Sequence, residues 1–164
     1  MPLISDEFWE RAAASPLAVA VRESIWVYPF LETVHVLGLA LLFGAIVAFD
    51  LRVLGFSTAL SVSRLWQHVK PWIWTGFALA FASGVLLFIG DAADFAANPA
   101  VQVKLVLILL AGLNAAVFET RLRPTVAAWD LDTPAPRAAR ISAGLSLALW
   151  FSILIAGRLI AYIK

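Results

Sequence analysis

The sequence predicts an all-α membrane protein, a bundle of four transmembrane helices with a short N-terminal interfacial helix. Of its 164 residues, 62% are hydrophobic and 14% are charged, and the mean hydropathy is +0.90. Soluble domains are about 45–50% apolar and about 25% charged, so this chain cannot cover a water-facing surface. Four apolar stretches reach the roughly 20 residues that a helix needs to cross the hydrocarbon core. Together they make residues 1–164 a single transmembrane domain.

The N-terminal segment is not typical of a secretory signal. It opens MPLISDEFWERAAAS, which is acidic where a signal peptide is positively charged. The apolar residues of this segment are predicted to share one face of a short helix lying in the membrane interface: Leu3, Ile4, Phe8, Trp9 and Ala12. Ser15 followed by Pro16 is typical of an N-cap and the first residue of a further helix.

The four spans are predicted at about residues 26–49, 71–89, 100–118 and 141–163. Small residues recur at every fourth position in the second span (Gly76, Ala80, Gly84) and in the fourth (Gly144, Ala148, Ser152, Ala156). Such stripes let helix backbones approach closely in lipid. Asn114, deep in the third span, is expected to make an interhelical hydrogen bond. The segment from Thr120 to Arg140 is expected to be a polar connector.

The distribution of basic residues predicts the orientation. The two loops on one side carry seven of them: Arg52, Arg64, Lys70, Arg121, Arg123, Arg137 and Arg140. The opposite side carries Arg11, Arg22 and Lys164. Because loops rich in Lys and Arg stay on the cytoplasmic side, both termini are expected outside. In a bacterial inner (plasma) membrane that side is the periplasm.

Composition also excludes several kinds of chemistry. The absence of cysteine excludes disulfides, iron–sulfur clusters, zinc–thiolate sites and thiol catalysis. With Met1 as the only methionine, copper(I) lacks its usual soft ligands. A net charge of +1 without a basic run argues against a nucleic-acid partner. The lipid bilayer is the expected surrounding.

The candidate site consists of ionisable residues inside the predicted spans. A charge at the bilayer centre is costly, so it normally faces a partner or a cavity. Glu32, His35, Lys104 and Arg158 all fall in the outer leaflet, and Gly38, one turn after His35, leaves room beside the imidazole. This pattern suits haem b, with His35 as the iron ligand and Lys104 and Arg158 near the propionates. The alternative is that Glu32 and His35 pair while Lys104 and Arg158 snorkel to the headgroups.

His68, the second histidine, is predicted not to share an iron with His35. It precedes the second span, on the order of 20 Å from the layer of His35. Axial ligands of one iron lie only a few ångströms apart. His68 is therefore expected to be an ordinary interfacial side chain.

Three stretches carry a family resemblance that covers Glu23 to Ile163. ETVHVLGLALLFGAIVAFDLRVLG resembles the first helix of a bacterial four-helix membrane family of the domain-of-unknown-function type, which reads His-x-x-Gly and ends Asp-Leu-Arg. TGFALAFASGVLLF and VQVKLVLILLAGLNAAVF resemble the second and third helices of such families. The chain is similar, more remotely, to the membrane protoporphyrinogen oxidase and CopD copper-resistance families. The missing Met and Cys ligands argue against copper transport.

The oxidase resemblance implies a haem b bound by His35 and a functional role for Lys104. The further lysine of that family's first helix is absent here, and Asn114 and Glu119 occupy the region of its later histidine. The resemblance therefore implies a porphyrin-binding bundle more than protoporphyrinogen oxidation.

The function predicted from the sequence is a haem-binding redox protein, with no catalytic residue identified. It would be an electron-transfer protein or an oxidoreductase, exchanging electrons with a quinone or a partner protein, or oxidising a porphyrin-type tetrapyrrole. Glu32 would orient the imidazole and make it more basic. A single histidine implies five-coordinate iron or a sixth ligand from a homo-oligomer. Two alternatives are a cofactor-free accessory or assembly subunit of a membrane complex and a small metal or anion transporter.

Overall fold

The structure, a computed structural model, describes residues 6–163. Leu3 and Ile4 of the predicted interfacial face, and Lys164 of the orientation argument, lie outside this range. The helices are α1 (Asp6–Ala13), α2 (Pro16–Glu23), α3 (Val27–Leu54), α4 (Val62–Gly90), α5 (Ala92–Ala97), α6 (Pro99–Val117) and α7 (Arg137–Leu159). A π turn (Phe118–Leu122) and a 3-10 turn (Arg123–Ala128) follow α6. Residues 6–163 contain no strand, so the predicted all-α class is confirmed.

Within residues 6–163, four helices are long and apolar enough to cross a membrane: α3, α4, α7, and α6 with the turns that extend it to Ala128. Their limits differ from the predicted spans mainly at α4, which begins at Val62 and contains Pro71 within it. Ser61 caps this earlier start, its hydroxyl accepting a hydrogen bond from the Arg64 amide at 3.2 Å. The helix therefore begins before the predicted span, and Pro71 lies inside it, because one missing amide is tolerated inside a membrane helix.

The helices are arranged in the order α4, α3, α7, α6. α3 packs against α4 and α7, and α6 packs against α7; within residues 6–163, α6 approaches neither α3 nor α4. At one end of the bundle, which we call the termini end, α1, α2 and α5 cover the start of α3 and the end of α4. Asn98 joins α6 to the end of α7 there, donating to the carbonyls of Ile160 and Ile163 at 3.3 and 2.6 Å. The opposite end is called the loop end.

The N-terminal helices form as their sequence predicts. Ser15 caps α2, with its hydroxyl accepting from the Ala18 amide at 3.2 Å and Pro16 in the first turn. Trp9 of α1 packs edge-on against Phe88 of α4, with ring centroids 5.6 Å apart. These contacts hold the two short helices against the termini end.

The α3–α4 pair is the closest helix contact of the bundle, and glycines permit it. A Cβ atom at Gly38 would lie 2.7 Å from the Ala80 amide nitrogen, and one at Gly76 would lie 2.5 Å from the Leu42 nitrogen. The small-residue stripe of α4 is therefore a packing surface, as predicted. The stripe of α7 is not packed along its length, since Ala148 and Ser152 are exposed.

Asn114 makes the predicted interhelical hydrogen bonds. Its side-chain nitrogen donates to the Ser142 carbonyl at 3.1 Å, and its oxygen accepts from the Ser142 hydroxyl at 3.0 Å. This pair joins α6 to α7 near the loop end.

The connector after α6 is less loop-like than predicted. Phe118 at the start of the π turn packs edge-on against Phe49 of α3, with ring centroids 5.4 Å apart. Val126 and Trp129 are buried in the same apolar core at the loop end. Because these apolar side chains reach the core, residues 118–128 continue in helical turns and only the following segment is irregular.

Two charged residues organise the loops at this end. The Arg52 side chain is 2% exposed and donates to the carbonyls of Thr58, Leu60 and Asp130. The Asp130 carboxylate accepts from the Ser61 hydroxyl at 2.8 Å and from the Ser63 amide at 2.7 Å. The loop after α3 and the loop before α7 are thereby joined to the start of α4.

Asp130 is expected to make the loop end sensitive to acid. The Ser63 amide, and secondarily the Ser61 hydroxyl, stabilise its ionised form and hold the pKa of the carboxyl below its usual value. A depressed pKa adds stability above the unfolded-state pKa of about 3.9, and this stability is lost as pH falls through the folded-state pKa. We expect Asp130→Asn to be less stable than wild type near neutral pH and to show a smaller further loss below about pH 4.

Detergent unfolding followed by tryptophan fluorescence across this pH range tests the expectation. Asp132→Asn, which also removes a carboxylate from this loop, is the matched control. Equal acid sensitivity of wild type and Asp130→Asn would contradict the assignment.

Candidate functional site

His35 lies on α3, eight residues after its first residue, about 12 Å along the helix from the termini end. The side chain is half-buried and lies against α4. Its Nδ1 atom is 3.1 Å from the Ser83 hydroxyl. A Cβ atom at Gly84 would lie 2.9 Å from the imidazole Cε1. The ring therefore lies where α4 has no side chain at residue 84.

The Ser83 hydroxyl lies close to several possible partners. The carbonyls of Leu79 and Ala80 in its own helix are 2.5 and 3.4 Å away, and His35 Nδ1 is 3.1 Å away. When the hydroxyl donates its single hydrogen to Leu79, it accepts from a His35 Nδ1–H. In a neutral imidazole this leaves the lone pair on Nε2. His35 thus offers Nε2 as a metal ligand or a proton acceptor, while Ser83 holds the ring.

Lys104 is the basic residue whose charge acts on the His35 imidazole. It projects from α6, which does not itself touch α3, and its stem crosses α7 at Gly157. Its Nζ, Cε and Cδ atoms lie 3.5, 3.7 and 3.9 Å from the position of a Cβ at residue 157. The ammonium group is close enough for its charge to act on His35. Lys104 therefore passes beside α7 at ordinary van der Waals distance, and a lysine of the third span is brought toward a histidine of the first.

Arg158 lies at the same end but nearer the surface. It is exposed, it donates to the Tyr162 hydroxyl at 2.8 Å, and its guanidinium carbon lies 5.1 Å from the centroid of that ring. A side chain so held near a helix end can offer positive charge to an anionic group at the interface.

Glu32 and Gly38 do not take the places expected of them. Glu32 is exposed, and within residues 6–163 it makes neither a hydrogen bond nor an ion pair with His35. The space left by Gly38 is filled by the backbone of α4 at Gly76 and Ala80. The α4 backbone thus occupies the space beside Gly38, so no ligand has room there. The residue that contacts the His35 imidazole across the helix interface is Ser83.

His68 is remote from this site. The helix of α4 includes it, yet it lies 15 residues before Ser83, about 22 Å along the axis. Its exposed side chain lines an open groove of about 380 Å³ at the loop half of the bundle. The expectation that one iron cannot be shared by both histidines agrees with this separation.

The sequence interpretation missed two buried charged residues. Arg52 was counted with the loop after the first span, which was ended at residue 49, and Asp50 was not singled out, but α3 continues to Leu54. Asp50 is 6% exposed and Arg52 is 2% exposed. One feature of the sequence could have indicated their burial: in the run FDLRVL, Asp50 and Arg52 each have an apolar residue on either side. The bundle therefore has buried charges at its loop end as well as polar groups at its termini end.

Within residues 6–163, no three His, Cys, Asp or Glu side chains converge as metal ligands. Comparison of the chain with protein-family models, curated proteins and solved structures finds no match.

Proposed function

We propose that this chain is a membrane-embedded redox protein that binds a b-type haem through Nε2 of His35. The observation that carries the proposal is the contact of 3.1 Å between His35 Nδ1 and the Ser83 hydroxyl, which we assign as a hydrogen bond donated by Nδ1–H. It leaves the Nε2 lone pair available, and a partner on the other ring nitrogen is the usual arrangement of a ligating histidine. Haem needs only one or two axial ligands from the protein, so a lone imidazole is sufficient.

The surrounding residues fit such a group in part. Lys104 offers a cation beside the imidazole for one propionate, and Arg158 offers a second at the interface. Neither Glu32 nor Gly38 would contact the group. Ser83 would fix the direction of the imidazole, and the glycine at 84 would let the ring stay against α4. When bound, haem would supply one-electron exchange.

The setting of this function is also part of the proposal. The seven basic residues at the loop end favour a bacterial inner membrane with both termini in the periplasm. His35 and Lys104 would then lie in the outer leaflet. A quinone or a partner protein would exchange electrons there, or a porphyrin would be oxidised. A second copy of the chain, or a partner in a membrane complex, would supply a sixth iron ligand.

Absorption spectra of the purified protein test the proposal, and the second histidine provides a matched control. We expect wild type and His68→Ala, each reconstituted with haem, to show the same Soret band, and His35→Ala to lose it. Without a sixth ligand, the wild-type spectrum should be that of high-spin iron. A wild type that stays colourless, or a band that survives in His35→Ala, contradicts the proposal; a colourless chain favours the cofactor-free accessory subunit.

Ser83→Ala tests the role of the hydrogen bond separately. Loss of a partner of this kind typically weakens metal binding by about 10–100-fold. We therefore expect Ser83→Ala to bind haem more weakly by about that factor and Ser83→Thr, which keeps the hydroxyl, to restore binding. Equal haem affinity in wild type and Ser83→Ala would show that Ser83 does not position His35.

A further inference from the structure

Asp50 is a buried carboxyl group that the proposed haem site does not use. It lies 15 residues after His35 on α3, about 22 Å further along the helix. Its side chain is 6% exposed. The hydroxyl of Ser146 on α7 lies beside it, and Oδ2 has no hydrogen-bond partner among residues 6–163.

Among residues 6–163, no basic side chain forms an ion pair with this carboxyl. Its nearest basic neighbour in the sequence, Arg52, is two residues along the helix and donates instead to loop carbonyls. On the elements packed against α3 at the loop end, Arg64, His68 and Lys70 of α4 and Arg137 and Arg140 of α7 are exposed. Glu119 of the π turn pairs with Arg123 at 2.9 Å. Within the described residues, none of these groups forms an ion pair with Asp50.

An ionised carboxylate in this position would be costly. A buried charge without a partner is normally neutralised, because its transfer from water to an apolar interior costs far more than the hydrogen bond of one hydroxyl returns.

A proton fits this site better than a metal cation does. Divalent cations such as Ca²⁺ and Mg²⁺ take about six to eight oxygen ligands. Asp50 and Ser146 offer few, because the next side-chain oxygen along α7 is engaged: the Ser142 hydroxyl donates to the side-chain oxygen of Asn114 on α6 at 3.0 Å. Within residues 6–163 no cluster of acidic and histidine ligands forms. A proton needs only the free carboxyl oxygen.

We infer that Asp50 is a proton-binding site at the loop end of the membrane domain, carried in the protonated form beside Ser146. Its free oxygen Oδ2 accepts the proton, and the neutral carboxylic acid replaces a buried charge. The site is separate from His35, and its existence does not depend on haem.

Infrared difference spectroscopy of the full chain in lipid tests the site. The carbonyl stretch of a protonated carboxylic acid is expected in wild type near neutral pH and is expected to be lost in Asp50→Asn. Glu32→Gln is the matched control: it removes a carboxyl from the same helix, but an exposed one, and should keep the Asp50 band. The band should diminish in alkaline solution as the proton leaves.

Carbodiimide labelling supplies a second measurement that requires no variant. N,N′-dicyclohexylcarbodiimide enters lipid and reacts with protonated carboxyl groups, so peptide mass spectrometry of labelled wild type should place an adduct on Asp50. Either signal assigned to Asp50 supports the inference. The absence of both signals overturns it, and so does their loss when sodium is added at constant pH, since a cation would then hold the site. Neither measurement reads the pigment, so failure here leaves the haem test unaffected.

Discussion

Gly76→Ala is expected to destabilise the bundle by about 1–3 kcal/mol, the usual cost of forcing an extra methyl group into a packed interface. The added Cβ would lie 2.5 Å from the Leu42 nitrogen, 2.8 Å from the Gly38 carbonyl oxygen and 2.9 Å from the Leu42 Cα. All three are backbone atoms, so no side-chain rotation relieves the overlap. The helices α3 and α4 must separate, and the contact between Ser83 and His35 loosens with them.

A glycine elsewhere in the same bundle gives the matched control. Gly112 of α6 has nothing within 4 Å of its Cβ position, so Gly112→Ala adds a methyl group without a clash. It should stabilise its helix by about 0.5–1 kcal/mol through the lower backbone entropy of alanine. The two variants should therefore shift stability in opposite directions.

Unfolding in mixed micelles, followed by circular dichroism, measures both shifts. In the haem-reconstituted protein, Gly76→Ala should also lower pigment content, because its helix pair carries His35 and Ser83. If Gly76→Ala and Gly112→Ala change stability in the same direction, the result contradicts the claim that α3 and α4 are in close backbone contact at Gly76.

The sequence was sufficient for the four spans because each rests on a long apolar run. It was weaker at the helix ends, where polar residues continue a helix beyond the apolar run. Pro71 illustrates this, since a proline is a common first helical residue but also stands inside α4. The turns from Phe118 to Ala128 were missed because their helical form depends on Phe118, Val126 and Trp129 packing into the core at the loop end. Contacts between distant segments decide such cases, and a local pattern does not contain them.

The sequence predicted how far along the bundle the candidate-site residues lie, but not which neighbouring helix the His35 imidazole faces. Counting residues along each span placed His35, Lys104 and Arg158 at one end of the bundle, and the structure has them there. Residue spacing also put Glu32 near His35, yet the imidazole faces Ser83 on another helix. The rotation of α3 against α4 is set by the glycine contacts at residues 38 and 76, which a single helix pattern cannot reveal. Asp50 and Arg52 were missed for the same reason, since their burial depends on α4, α7 and the loops.

Arg52→Met is expected to cost about 1–3 kcal/mol, although it keeps much of the side-chain volume. Of the three carbonyls that the guanidinium binds, two keep a backbone partner: Thr58 accepts from the Asp132 amide and Asp130 from the Val62 amide. Leu60 would lose its one hydrogen-bond partner in the described chain. The loss is therefore one unsatisfied carbonyl and two weakened ones. Arg52→Lys should recover only part of it, because an ammonium is a compact charge that lacks the rigid fork of a guanidinium.

Arg64→Ala separates this effect from that of charge. Arg64 lies in the first turns of α4 at the same end, and it is exposed. Its replacement removes the same positive charge from the loop end, so membrane orientation should respond equally in both variants. Stability should not, because exposed substitutions usually change it by less than about 0.5 kcal/mol. Mixed-micelle unfolding measures stability, and proteolysis of the loop at residues 55–61 reports local opening. Arg52→Met should open that loop while Arg64→Ala leaves it protected, and equal behaviour of the two would mean that the buried guanidinium does not hold the loops together.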